Sequence, residues 1–129
     1  MRKIIFRAKR LDNGEWVEGN FVKGCIDDFA YIVEFGNKDL CRNYVEVIPE
    51  TVGQYTGLID KNGTEIFEGD IVTTKFNERN KPYATIYDEE LVAFIGRDKN
   101  NFNFTTLGCI DNSLIEIIGN IYDNPELLR

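Results

Sequence analysis

Glu68 and Asp70 stand either side of Gly69. In an extended chain, residues two apart point to the same face, so this pair has the spacing for shared acid–base work. Glu89 and Glu90 are adjacent and would diverge. The chain of 129 residues has no histidine. That excludes a Ser-His-Asp triad, a Cys-His dyad, a histidine zinc ligand and a histidine pH switch. Acid–base chemistry would fall to Asp, Glu, Lys or Tyr. With 22 Asp and Glu residues, close carboxylates arise by chance, and turn or surface roles are the expectation for both pairs. No catalytic residue is assigned, and the expectation is a protein that is not an enzyme.

Metal chemistry fares no better. A calcium-binding EF-hand loop needs oxygen ligands at its first, third and fifth positions, glycine at the sixth and glutamate at the twelfth. Asp60, Asn62 and Thr64 fit the first three, but Glu65 and Ile71 occupy the other two. Asp60-Lys61-Asn62-Gly63 is expected to be a hairpin turn. Cys25, Cys41 and Cys109 are odd in number and widely spaced, with no Cys-x-x-Cys pair, so neither a zinc ribbon nor a disulfide framework is expected. No glycine-rich phosphate loop is present. No metal and no cofactor is expected.

Nucleic acid is the remaining chemical possibility. Arg7, Lys9 and Arg10 lie in an opening stretch with no acid, and Lys75, Arg79 and Lys81 are interleaved with Phe76 and Tyr83. Cations beside aromatics can hold phosphate while bases stack. Against this, the formal charge is −7, which opposes non-specific attachment to a polyanion. The charge is uneven: residues 1–50 carry 8 bases and 9 acids, residues 51–129 carry 7 and 13. Ile4-Ile5-Phe6 is broken at once by Arg7, too short for a secretory signal. No apolar run approaches the ~20 residues of a membrane helix. The expected setting is the cytoplasm, away from membrane.

The elements that must position these residues have a period of two. Ile4, Phe6 and Ala8 alternate with Ile5, Arg7 and Lys9, as in a strand with one buried face. Asp12-Asn13-Gly14 turns the chain, and Trp16–Lys23 returns. Further strands are expected at 29–35, 44–48, 71–76, 83–87, 91–97, 101–105 and 113–122. Pro49 stops the fourth strand and marks a boundary between residues 1–50 and 51–129. No stretch of a dozen residues has helical periodicity. Turns every 8–12 residues indicate an all-β sandwich or small barrel.

Two blocks carry a resemblance. One runs Thr51-Val52-Gly53-Gln54-Tyr55-Thr56-Gly57-Leu58, then Asp60-Lys61-Asn62-Gly63 and Ile66-Phe67-Glu68-Gly69-Asp70-Ile71-Val72. The other is Ile117-Ile118-Gly119-Asn120-Ile121-Tyr122-Asp123-Asn124-Pro125-Glu126-Leu127. Together with Phe6-Arg7-Ala8, Trp16 and Gly19, they resemble the YopX family of phage and prophage proteins. The resemblance implies an all-β protein with a small N-terminal β subdomain and a C-terminal SH3-like barrel, expressed in a bacterial cytoplasm. It brings no catalytic residues. Within these blocks Gln54, Tyr55, Thr56, Asn120 and Tyr122 are less easily explained by packing, which makes them candidates for a binding face. The expected activity is binding or assembly, with a protein partner or a second copy of the chain, and nucleic acid as the alternative.

Overall fold

The computed structural model describes residues 2–24, 28–34, 44–75, 81–100 and 104–128. Cys25, Cys41, Phe76, Arg79 and the start of the strand expected at 101–105 lie outside the described residues. The chain is all-β: among the described residues the strands pair antiparallel and the helical segments are short 3-10 turns. Among the described residues, no helix is long and apolar enough to cross a membrane. The chain forms two compact units, Met1–Tyr55 and Thr56–Arg129.

The first unit holds β1 (Phe6–Lys9), β2 (Trp16–Lys23), β3 (Ala30–Glu34), β4 (Tyr44–Val47) and the beginning of β5 (Gly53–Ile59). Their order is β4-β3-β2-β1-β5. The β1–β2 hairpin turns at Gly14, whose φ of +72° suits glycine. Its register sets Lys9 opposite Trp16 and Phe6 opposite Gly19. Ala8, Val17, Ala30, Ile32 and Val47 form the core, with Phe6, Phe21, Val45 and Val52 packed against it. The expected alternation needs one correction at its start. Ile5 is 2% exposed and Ile4 49%, because the strand begins only at Phe6 and Ile5 lies outside its period.

The sheet curls on itself after β1. Arg10 bridges Val47, the Ile48 N–H donates to the Lys9 carbonyl at 2.9 Å, and the Leu11 N–H donates to that of Glu46 at 3.0 Å. Pro49–Thr51 follows as a 3-10 turn. Thr51 fastens it by accepting the Lys9 N–H at 2.9 Å and donating to the Ile48 carbonyl at 2.7 Å.

In the second unit the rest of β5 forms a hairpin with β6 (Glu65–Phe67) around Asp60–Gly63. A five-stranded sheet follows, ordered β10-β9-β8-β7-β11, from β7 (Asp70–Thr74), β8 (Pro82–Asp88), β9 (Ala93–Arg97), β10 (Phe104–Thr106) and β11 (Ile115–Asn120). Ile66, Val72, Tyr83, Leu107 and Ile115 make its core. Among the described residues, no ladder joins β10 to β11, so the sheet is open. Two expected strands are shorter than their composition suggests. The one expected at 91–97 starts at Ala93, because Asp88 draws the chain before it into a turn. The one expected at 113–122 gives up its first residues to a 3-10 turn over Asn112–Leu114, where Asp111 accepts the Ser113 N–H at 2.9 Å.

Candidate functional site

Three aspartates, Asp60, Asp70 and Asp88, are engaged with backbone N–H groups. Asp70 is buried and accepts the Phe67 N–H at 2.8 Å, closing the turn around Gly69, whose φ is +91°. Asp60 is buried too. Its Oδ1 accepts the N–H groups of Asn62 and Thr64, and its Oδ2 accepts that of Ile117 at 3.2 Å. The hairpin that resembled a calcium loop in its first half is thus tied to β11. Asp88 accepts the Glu90 and Leu91 N–H groups at 2.9 Å and receives the Arg97 guanidinium. The Leu91 N–H, with that of Glu90 and the Arg97 charge, holds the Asp88 carboxyl below the usual aspartate range against the opposing effect of desolvation. Among the described residues, no group of three potential ligands is placed to hold a metal ion.

Asn120 and Tyr122 belong to one local device. The Asn120 side-chain oxygen accepts the N–H of Tyr122 at 3.0 Å and of Asp123 at 2.8 Å, and its amide donates to Asp123. Asn124 answers, its side-chain oxygen accepting the Asn120 N–H at 3.3 Å. The Ile121 N–H reaches the Gly69 carbonyl at 2.8 Å. A Cβ at Gly69 would stand 2.9 Å from the Tyr122 ring, so the ring lies directly over that glycine. The two resembling blocks therefore meet here within one unit. Thr56 is also engaged, donating to the Ile66 carbonyl at 2.8 Å and accepting the Leu58 N–H. Gln54 and Tyr55 belong to the first unit: Gln54 pairs with Phe6 in the β1–β5 ladder, and the Tyr55 N–H donates to the Ile5 carbonyl.

The basic residues of the first unit separate into two settings. Arg7 and Lys9 point the same way along β1, and both lie over the Trp16 ring, at 4.7 and 5.6 Å from its centre. The period-two pattern puts all three on strands, and the hairpin register that faces Lys9 to Trp16 is the signal for the stack. Arg10 instead pairs with Asp12 at 2.9 Å and Glu34 at 3.8 Å, and its hydrogen bond pulls the Asp12 carboxyl below the ordinary range. Arg10 and its partners line a cleft of about 460 Å³ with Leu11, Tyr44, Val45 and Glu46. In the second unit Lys75 is exposed and Lys81 half-buried. Lys81 borders a recess of about 220 Å³ with Asp98, Lys99 and Leu128, so the cation that joins it there is Lys99, outside the set expected from the sequence.

A family model described as YopX protein matches residues 5–129. The chain belongs to the YopX family. The match takes in both blocks of the turn network and the β1–β2 hairpin. In structure the chain is similar to the crystal structure of protein EF1440 from Enterococcus faecalis, with 26% identity, a TM-score of 0.57 and coverage of 100% of each chain. No curated protein matches. Much of what makes this YopX sequence recognisable is thus turn chemistry: asparagines, aspartates and glycines that bend the chain and satisfy its backbone.

Proposed function

We propose that this YopX-family chain is a non-enzymatic binding or assembly module, acting on a protein partner or on further copies of itself. The observation that carries this reading is the division of labour among the polar residues. Asp60, Asp70 and Asn120 are committed to backbone N–H groups, while apolar side chains such as Leu11, Phe29, Tyr44, Leu91 and Val92 stand exposed. Exposed apolar side chains mark contact sites where they adjoin in one patch, as Leu91 and Val92 do in sequence. The resemblance to phage and prophage proteins supports a setting in phage propagation within a bacterial cytoplasm, and it is also what supports an SH3-like reading of the second unit. Gln54, Tyr55 and Thr56 remain the candidates for a binding face beside their roles in β5. Affinity capture from bacterial lysate, with and without nuclease, tests the reading: a specific protein retained after nuclease supports it, and no protein retained in either arm, with no self-association, overturns it.

The Arg7–Trp16–Lys9 stack favours a second reading, attachment to nucleic acid through the N-terminal hairpin. A gel-shift salt titration decides it. Retardation that fades with salt and is lost in Arg7→Gln/Lys9→Gln supports it, and no retardation at about 50 mM salt, where phosphate contacts are strong, sinks it.

A further inference from the structure

The chain has two Asn-Gly pairs, Asn13-Gly14 and Asn62-Gly63, each at the turn of a hairpin. The pairing serves the turn, since both glycines have positive φ, +72° and +80°. It also carries a chemistry that the turn does not use. The amide nitrogen of a glycine has no side chain to shield it and can attack the side-chain carbonyl carbon of the asparagine before it. Both hairpins offer this nucleophile alike. The Gly14 N–H donates to the Arg10 carbonyl at 2.9 Å and the Gly63 N–H to that of Asp60 at 3.0 Å. A Cβ at either glycine would meet nothing within 4 Å, and both asparagines are exposed.

The electrophile separates them. The Asn13 side-chain oxygen accepts the Glu15 N–H at 2.9 Å, and its amide donates to the Glu15 carboxylate at 3.4 Å. The Asn62 side chain has no such hold: among the described residues only its backbone N–H is bonded, to Asp60 Oδ1 at 2.9 Å. We propose that Asn62 is a site of spontaneous deamidation in the folded protein, while Asn13 is held back. The Gly63 nitrogen bonds to Asn62 Cγ, the Cγ–Nδ2 bond breaks, and ammonia leaves with the proton of the Gly63 N–H. Water then opens the cyclic imide. Opening at Cγ leaves aspartate; opening at the main-chain carbonyl leaves isoaspartate, whose backbone runs through Cβ and Cγ.

The isoaspartate product lengthens the main chain inside the turn that Asp60 clasps. Asp60 Oδ1 holds the N–H groups of residues 62 and 64, its Oδ2 holds that of Ile117, and the Lys61 N–H holds the Ile115 carbonyl. Either product also sets a second carboxylate beside Asp60. The clasp loosens, and the outer edge of β11 loses its cover. An uncovered edge is open to pairing, so the modification is a slow, irreversible switch on that edge.

Timed incubation of the full chain in mildly alkaline buffer, followed by peptide mass mapping, tests it. In the folded protein Asn62 is expected to convert about five- to tenfold faster than Asn13, the factor that one retained hydrogen bond supplies. In urea, where both turns are gone, the two rates are expected to converge. Asn13 converting as fast as Asn62 in the folded chain overturns the proposal, and so does conversion of Asn62 only after unfolding. The isoaspartate form, separated from its parent by the added negative charge, is expected to exchange the Thr64 and Ile117 amide hydrogens faster, with Ile32 unchanged. Asn62→Asp gains the charge without the longer backbone and is expected to fall between them. Exchange at Ile117 that is the same in all three forms overturns the switch at the β11 edge.

Discussion

Single residues carry the tightest constraints, and Gly19 is the clearest. A Cβ built there stands 2.0 Å from the Val33 carbonyl oxygen and 3.0 Å from the Glu34 Cα. Both are backbone atoms of β3, so no side-chain rotation relieves them. Gly19→Ala is expected to cost more than about 3 kcal/mol, at the severe end for point substitutions, and urea denaturation followed by Trp16 fluorescence measures it. Gly14→Ala has open space around its Cβ but a positive φ, so its cost is conformational only, about 1 kcal/mol. Asp88 sets a pH dependence. Its carboxyl titrates below the ordinary aspartate value when folded, so its contribution is complete above the unfolded pKa of about 3.9 and is lost as pH falls through the lower folded value. The melting-temperature gap between wild type and Asp88→Asn is therefore expected to be constant near neutrality and to close on acidification below about pH 4. A gap that widens with acid contradicts the assignment.

At the scale of elements, the bends decide how strands end and which strand edges stay open. Trp16–Lys23 was legible in full as a strand, since apolar alternation and the Asp12-Asn13-Gly14 turn both point to it. The strand expected at 91–97 was not, because apolar content alone cannot see Asp88 taking the Glu90 and Leu91 N–H groups. The one expected to run to Tyr122 stops at Asn120 for a similar reason: its side chain takes the next two N–H groups. Exposed strand edges invite pairing with other chains, and here two are occupied. β4 meets Arg10 and Leu11. β11 gives its Ile117 N–H to Asp60 and its Ile115 carbonyl to the Lys61 N–H at 2.8 Å. The other two sheet edges, β6 and β10, carry no second ladder among the described residues, so edge pairing is confined to them. Asp60→Ala leaves the N–H groups of Asn62, Thr64 and Ile117 without that acceptor. It is expected to cost about 1–3 kcal/mol and to speed amide hydrogen exchange at Thr64 and Ile117, with little change at Ile32 in the other unit. Unchanged exchange at Ile117 would show that the tie to β11 is dispensable.

For the whole molecule, the sequence made the all-β class legible, because period-two patterning and turn residues are local signals. Closure was not legible. Whether a sheet curls into a barrel depends on the stagger and tilt of strands distant in sequence, and the self-meeting backbone appears after β1, in the unit where a barrel was not expected. The charge of −7 divides unevenly: the unit Met1–Tyr55 holds 8 bases and 9 acids, Thr56–Arg129 holds 7 and 13. Each unit has its own apolar cluster, which gives a test of how far they fold as one. Ile32 and Ile71 are both fully buried, one in each unit, and truncation of either to alanine is expected to cost about 2–5 kcal/mol. The single tryptophan lies in the first unit, so its fluorescence follows that core alone. Ile32→Ala is expected to move the Trp16 urea transition to lower denaturant, whereas Ile71→Ala moves the far-ultraviolet dichroism transition and leaves Trp16 near its wild-type midpoint. If Ile71→Ala shifts both signals equally, the two clusters melt in one cooperative step, and the separate cores are separate only in space.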